Sequence, residues 1–325
     1  MLFITNRFPR ESLRSRNGRP FTFDLKNNSV SNSVFFGCRV EDGVYEEIGS
    51  YELLRRLKGC EYRQVLIYIH GFSNMPEEVF RDTKKLQELC DLMKANEVLV
   101  LPMIWPCDND LGIVKDYWND QKAADASALA FARVFAKFMA WRNSDKYNPT
   151  ENPCLKRINV LAHSMGNRVL RETIASWNRY DLANGVPLLF RNTFMVAADV
   201  VNESLESEND GRLIAHASRN VIVYHASDDL ALRASKAANL KNKVASRRLG
   251  HTGPENMDRV PQNVYSVDCD DVNTLYDPPA GHSYFCIDPS SGKPGKVFEH
   301  IFQALLTGRV YPDDEFRRTS ILPNS

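Results

Sequence analysis

Residues Ile158 to Val169 read Ile-Asn-Val-Leu-Ala-His-Ser-Met-Gly-Asn-Arg-Val, and their spacing points to nucleophilic chemistry at Ser164. A short apolar strand ends at Ala162, a sharp Ala-His-Ser-Met-Gly turn follows, and a helix begins at once. Such a turn lifts a serine hydroxyl above the end of a sheet and aims the next backbone N–H groups at the same space. The positions two before and two after the serine must be small, because strand and helix nearly touch there. Gly166 meets that need in full; Ala162 stands where a first glycine is usual but is still small. The plain alternative is an ordinary strand-to-helix turn, so the reading depends on the partners of the serine.

A serine hydroxyl is a poor nucleophile until a neutral imidazole takes its proton and a carboxylate holds that imidazole in the right tautomer. After a turn of this kind the acid and then the base follow in the chain. His282, in Pro-Ala-Gly-His-Ser-Tyr-Phe, lies in a turn-rich loop after the last expected strand, where the base belongs. His251, in Gly-His-Thr-Gly-Pro, is the runner-up. His216 on a helix, His225 at a strand end and His300 on the C-terminal helix read as structural. His163 is expected to point away from the serine oxygen and to brace the turn.

Asp228 and Asp229 both follow an apolar strand; one would face His282 and the other cap the helix that begins near Leu230. Asp199, after the preceding strand, is a third option for the acid, read more readily as a loop or capping residue. Two backbone N–H groups should receive the oxyanion. One is that of Met165; the other is that of Phe72, in the His70-Gly71-Phe72-Ser73 segment that follows the strand Val65–Ile69. Phe72, Trp105, Tyr117 and Trp118 are candidate walls of an acyl pocket, and His70, Gly71 and Asp228 belong near it.

The elements around these residues alternate. Polar turns separate short apolar runs at Leu2–Thr5, Phe21–Leu25 and Val34–Val40, which read as antiparallel edge strands, and a weak helix spans Tyr51–Leu57. Strands are expected at Val65–Ile69, Val98–Ile104, Ile158–Ala162, Thr193–Ala198, Val221–His225 and Val264–Val267. Helices are expected at Glu77–Lys94, Asp120–Trp141, Asn167–Arg179, Arg212–Arg219 and Val297–Leu306. Continuous apolar runs separated by helices imply a mostly parallel sheet covered on both faces, with its site at the carboxyl ends of the strands. Together with the antiparallel start, this fits an α/β-hydrolase arrangement. One domain over residues 1–325 is the simpler division: edge strands to residue 60, a core over 61–310 and a tail over 311–325.

The chain has 325 residues, with 41 Lys+Arg against 41 Asp+Glu, which argues against a nucleic-acid binder. Its seven cysteines are scattered, odd in number and never in a C-x-x-C pair, so no disulfide framework is expected. The N-terminal apolar run is too short for a signal peptide, and no run approaches a membrane span, so a cytoplasmic protein is expected. There is no phosphate-binding glycine loop, and His251, Asp258 and the Asp268–Asp271 cluster lack a ligand spacing for metal. No cofactor is expected.

These residues resemble the bacterial α/β-hydrolase family of unknown function labelled DUF900, grouped with esterase- and lipase-like enzymes. The resemblance runs through Phe3-Ile4-Thr5-Asn6-Arg7, Ile69-His70-Gly71-Phe72, Trp105-Pro106 and Ala162-His163-Ser164-Met165-Gly166-Asn167-Arg168. It continues through Ser227-Asp228-Asp229-Leu230-Ala231-Leu232, Arg248-Leu249-Gly250 and Gly281-His282-Ser283-Tyr284. In the family pattern the aspartate stands two residues before the Ala-Leu pair, which selects Asp229. The resemblance implies a Ser164–Asp229–His282 triad and esterase-like chemistry, with no substrate named. Cys107 departs from the small polar residue expected after Trp105-Pro106, which would alter a wall of the site.

The leading expectation is therefore hydrolysis of a carboxylic ester or thioester, a small-molecule acyl substrate, through an acyl-enzyme. Acyl transfer on the same residues and a non-catalytic binding scaffold are the rival readings. Arg233, Lys236, Lys241, Lys243, Arg247 and Arg248, with no acid among them, read as a solvated face. The sharper alternative is a basic rim for anionic substrates.

Overall fold

The computed structural model describes residues 1–108, 112–142, 156–181, 185–240, 246–312, 314 and 317–324. Their chain order is β1 (Leu2–Arg7), β2 (Arg19–Pro20), β3 (Val30–Glu41), β4 (Val44–Glu47), α1 (Gly49–Gly59), β5 (Gln64–Ile69), α2 (Pro76–Met93), β6 (Val98–Ile104) and α3 (Ile113–Arg142). Then follow β7 (Arg157–His163), α4 (Gly166–Asp181), β8 (Phe190–Val196), α5 (Arg212–Ala217), β9 (Ser218–His225), α6 (Leu230–Leu240) and α7 (Leu249–Thr252). The last are β10 (Val264–Asp268), α8 (Asn273–Tyr276), α9 (Lys296–Thr307) and β11 (Thr319–Ile321).

Among the described residues eleven strands join one sheet in the order β11-β10-β9-β8-β7-β5-β6-β1-β3-β4-β2. Pairing is parallel from β11 to β1 and antiparallel beyond it. The mostly parallel sheet of an α/β hydrolase is thus in place, with the antiparallel strands at one edge.

The uninterrupted apolar runs have a physical reason. In β5 every residue is buried; Val65, Ile67 and Ile69 face one core, and Leu66 and Tyr68 face the other. The first core takes side chains of α1, α3 and α4, such as Leu53, Phe131, Phe135 and Val169. The second takes those of α2 and α9, such as Val79, Leu86, Phe298 and Phe302. A strand covered twice has no polar side to show in its sequence. At the amino ends of the parallel strands, amides form a buried ladder. Asn159 donates to Gln64 at 3.2 Å, Asn192 to Asn159 at 2.9 Å and Asn220 to Asn192 at 2.8 Å. The ladder ties four strands in register at the end opposite the site.

Three expectations need correction. Phe21–Leu25 is no strand: Phe23 makes only an isolated bridge to Pro9, and the short strand lies earlier, at Arg19–Pro20. Phe21 and Phe23 are apolar because they pack in an aromatic cluster with Phe3, Tyr45 and Phe80, not because they alternate in a sheet. β4 was not foreseen; it returns from β3 through Asp42-Gly43, with Gly43 at φ +74°. The segment expected as a tail contributes β11, which pairs in parallel with β10. Its three residues carry no pattern long enough to read.

Candidate active site

β7 ends at His163 and α4 starts at Gly166, so Ser164 and Met165 make the whole connection. Ser164 sits at φ +53°, the left-handed region that a side chain enters at a cost. Surrounding hydrogen bonds hold it there. Its N–H donates to the Val196 carbonyl at 3.0 Å, and its own carbonyl accepts from the Asp199 N–H at 3.1 Å. Asn167, which the sequence offered without a role, donates its side-chain amide to the carbonyls of Ala162 at 2.8 Å and Ser164 at 3.1 Å. Gly166 is obligatory for packing: a Cβ there would lie 2.4 Å from the Ile69 carbonyl oxygen.

The neighbouring loop approaches just as closely. A Cβ on Gly71 would stand 3.1 Å from Cβ of Ser164, so the glycine allows the Phe72 backbone to reach the serine. Ser73 then turns at φ +60°, and its N–H donates to Oδ2 of Asp120 at 3.0 Å. The other oxygen of Asp120 accepts from the Asp108 N–H at 2.7 Å. Asp120 therefore clips the loop after β5 to the loop after β6, and burial pushes its carboxyl up to about 7. The amides of Phe72 and Met165 meet no backbone acceptor among the described residues.

His70 and Trp105, expected near the pocket, lie beneath it instead. Both are wholly buried and stacked, with ring centroids 5.2 Å apart and planes 7° apart. The Trp105 N–H donates to Nε2 of His70 at 3.2 Å, so the proton is on Nδ1, which donates to the Gly71 carbonyl at 2.9 Å. Burial pulls the His70 imidazole down to about 4, keeping it neutral. Cys107 is also below the loop, its thiol 3.6 Å from the Gly71 carbonyl, and forms no wall of the cavity. Trp118 is not a wall either; it packs against the core. Phe72 and Tyr117 do line the cavity.

Asp229 and His282 meet across the sheet top. Nδ1 of His282 donates to Oδ2 of the wholly buried Asp229 at 2.7 Å. The other Asp229 oxygen accepts the Leu232 N–H at 2.9 Å and caps α6. The two expected duties, facing the histidine and capping the helix, thus fall on one aspartate. Asp228 does neither; it accepts from the Asn273 side-chain amide and lies outside the cavity. Asp277, which sequence reasoning passed over, accepts the N–H groups of His282 and Ser283 at 2.8 and 2.7 Å. An aspartate before Pro-Pro signals a turn, and that was the available hint.

Ser164, His282, His163, Gly71, Phe72 and Asp199 share a cavity of about 280 Å³. His163 braces the site by a contact of 3.2 Å from Nε2 to the His282 carbonyl, and its ring lies 4.9 Å from that of His282. It lines the cavity as well. Burial and the neighbouring His282 pull it down to about 3, so it stays neutral. His251 lies on α7 outside the cavity. His300 is bonded to Tyr224 and to the Tyr311 carbonyl, both at 2.8 Å. His225 is bonded to Ser266 at 2.9 Å.

Asp199 is neither a capping residue nor the partner of His282. Buried, it accepts from Tyr117 at 2.8 Å and Ser235 at 2.5 Å, and pairs with Arg248 at 3.2 Å. The basic-rim reading consequently fails at Arg248, which is buried in that ion pair. Arg233 donates to the Ser227 carbonyl; Lys241 and Lys243 lie outside the described residues.

A doubly covered parallel sheet with a serine turn at its carboxyl edge defines the class of α/β hydrolases. The family model described as "Alpha/beta hydrolase of unknown function (DUF900)" matches residues 47–290, and the chain belongs to that family. No curated protein matches it significantly. Among solved structures, phospholipase PlaB from Legionella pneumophila in complex with thio-NAD is similar at 14% identity and a TM-score of 0.27. That match covers 66% of this chain and 40% of PlaB, so the chain spans less than half the length of that protein. A second PlaB structure gives 14% identity and a TM-score of 0.28, over 66% of this chain and 41% of the other. An endo-beta-N-acetylglucosaminidase from Cordyceps militaris in apo form gives 10% and 0.20, over 84% and 87% of the two chains. Among the described residues no helix is long and apolar enough to cross a membrane.

Proposed function

We propose that this hydrolase cleaves a carboxylic ester or thioester through an acyl-enzyme on Ser164. His282 takes the Ser164 proton through Nε2 as the hydroxyl attacks the carbonyl. Asp229 keeps the other ring proton on Nδ1 and stabilises the imidazolium that forms. The Met165 and Phe72 amides receive the oxyanion. His282 then protonates the leaving atom, and a water deprotonated by the same ring releases the acid. The observation that carries this reading is the 2.7 Å bond from His282 to the fully buried Asp229, beside a cavity that Ser164 and His282 both line.

The test is labelling by a fluorophosphonate probe of the wild type, Ser164→Ala and His282→Ala proteins. Labelling that requires both residues is expected. A folded wild type that stays unlabelled would overturn the reading and give the lead to a binding role.

A further inference from the structure

The cavity at Ser164 is at the small end of the range for ligand pockets. A second hollow of about 510 Å³ lies beside it, and Asn74, His163 and Ser283 form walls of both. This second space follows α2. Asp82, Lys85, Leu86, Leu89 and Leu92 line it at the three- and four-residue spacings that place side chains on one helix face. From Asp82 to Leu92 that face extends about 15 Å. Phe285, Cys286 and Ile287 line it as well.

Its chemistry changes along its length. α2 begins just after the loop that carries Phe72, so the Asp82 end lies nearer Ser164 and the Leu92 end farther away. Near the junction stand polar groups: Asn74, Ser283, Asp82 and Lys85. Farther along α2 stand Leu89 and Leu92, with Glu88 beside them at the rim and its carboxylate 3.9 Å from the Lys84 ammonium; Leu92 is 68% exposed. Ile287, also in the lining, is 41% exposed. Ile287 is held by an isolated bridge to Pro294, which leaves its side chain at the rim of the groove.

We infer that this groove receives the leaving group of the ester: an alcohol with an extended apolar chain and its polar atoms next to the scissile bond. The inference rests on acylation of Ser164. The acyl part belongs in the smaller cavity, which contains Ser164 itself together with Phe72, Tyr117, Leu232 and Ala234. The groove does not include Ser164 but adjoins Ser283, the neighbour of His282, and His282 is the group that protonates the departing oxygen. In the step concerned, the bond from Ser164 Oγ to the carbonyl carbon forms and the bond to the alkoxy oxygen breaks. The proton taken from Ser164 passes from His282 to that oxygen, and the free alcohol is left in the groove. Water later cleaves the acyl-serine to the acid.

The experiment compares two series on the full chain: acetates of straight alcohols from ethyl to decyl, and ethyl esters of acids of rising length. In the wild type kcat/KM is expected to climb along the alcohol series, by at most about fourfold per methylene buried. Leu92→Glu and Cys286→Trp should flatten that climb, bringing the ratio of kcat/KM for decyl over ethyl acetate toward one. Ala234→Trp should shorten only the acyl series. A flat alcohol series in the wild type, or a climb untouched by both groove variants, overturns the inference and leaves the serine chemistry standing. Absence of both ester turnover and probe labelling in the wild type would instead remove the underlying reading. Binding of 1-decanol to Ser164→Ala, followed by calorimetry, reads the groove without turnover. Adding Cys286→Trp or Leu92→Glu should weaken it tenfold or more, and equal binding in all three proteins would overturn the assignment.

Discussion

On the Ser164 side of the cavity, main chain is packed against main chain; on the His282 side, loops are held by carboxylates. At the first, Gly166 meets the Ile69 carbonyl with no room for a further carbon, and a Cβ on Gly71 would press on Ser164 Cβ at 3.1 Å. At the second, Asp229 bonds both His282 and the amide of Leu232, and Asp277 gathers the amides of His282 and Ser283. Close backbone packing needs small residues at fixed spacing, which leaves a short motif in the sequence. A carboxylate holding a loop needs only to arrive from somewhere in the chain. The two sides also respond differently to substitution: one is limited by added volume, most sharply at Gly166, and the other depends on which atoms accept hydrogen bonds.

Asp229→Asn gives the largest expected break. The asparagine keeps the volume and still caps α6, since asparagine and aspartate are comparable at that position. It no longer holds the His282 proton on Nδ1, so kcat is expected to fall by about 10⁴-fold. A thermal melt should show nearly unchanged stability. A matching loss of stability would mean that Asp229 serves the fold more than the histidine.

Asp120→Asn sharpens the comparison, because here a carboxylate supports the backbone-built side. Its amide cannot accept both the Ser73 and the Asp108 N–H groups as the two oxygens do, so the Phe72 amide shifts. The expected cost is about ten- to a hundredfold in kcat, less than removal of an oxyanion donor outright, with KM nearly unchanged. Stability against pH provides a second reading. The folded carboxyl titrates at about 7, above its unfolded value, so between about pH 4 and 7 the unfolded chain loses a proton that the folded chain keeps. This group therefore makes the protein less stable as pH rises through that window, and Asp120→Asn should remove that slope from urea titrations. A slope equal to that of the wild type would sink the assignment.

Asp277→Ala is the mildest. Two loop amides lose their acceptor but remain near solvent, while the bond from His282 to Asp229 persists. A fall of about three- to tenfold in kcat is expected, smaller than for Asp120→Asn because a loop amide can turn to water at little cost. A loss as large as that of Asp229→Asn would show that Asp277 fixes the imidazole itself.

The site was unevenly legible in the sequence for the reason the two sides differ. Ser164, Gly166, Gly71 and Phe72 sit within two short motifs, each attached to an apolar strand, and the strand run fixes where the motif stands. His282 was readable by its loop and its order after the acid, and Asp229 only through the family pattern. Asp120, Asp277 and Asn167 were missed in their roles because each serves a partner through one or two hydrogen bonds that leave no periodic trace. His70 and Trp105 were placed near the pocket because they border its motifs; stacking under the loop takes both rings out of it.

What the sequence determined by itself is the central sheet, the serine turn and the chain order of the residues proposed as its partners. Each follows from local rules: apolar runs must be buried on two faces, and a strand-to-helix turn this tight admits only small residues. The tertiary structure alone decided that Asp229 both caps α6 and meets His282. It also decided that Asp199 turns instead to Arg248, and that α2 borders a groove beside the site. Those outcomes depend on where separate elements come to rest against one another, and buried hydrogen-bonding groups must find whichever partners that packing brings within reach.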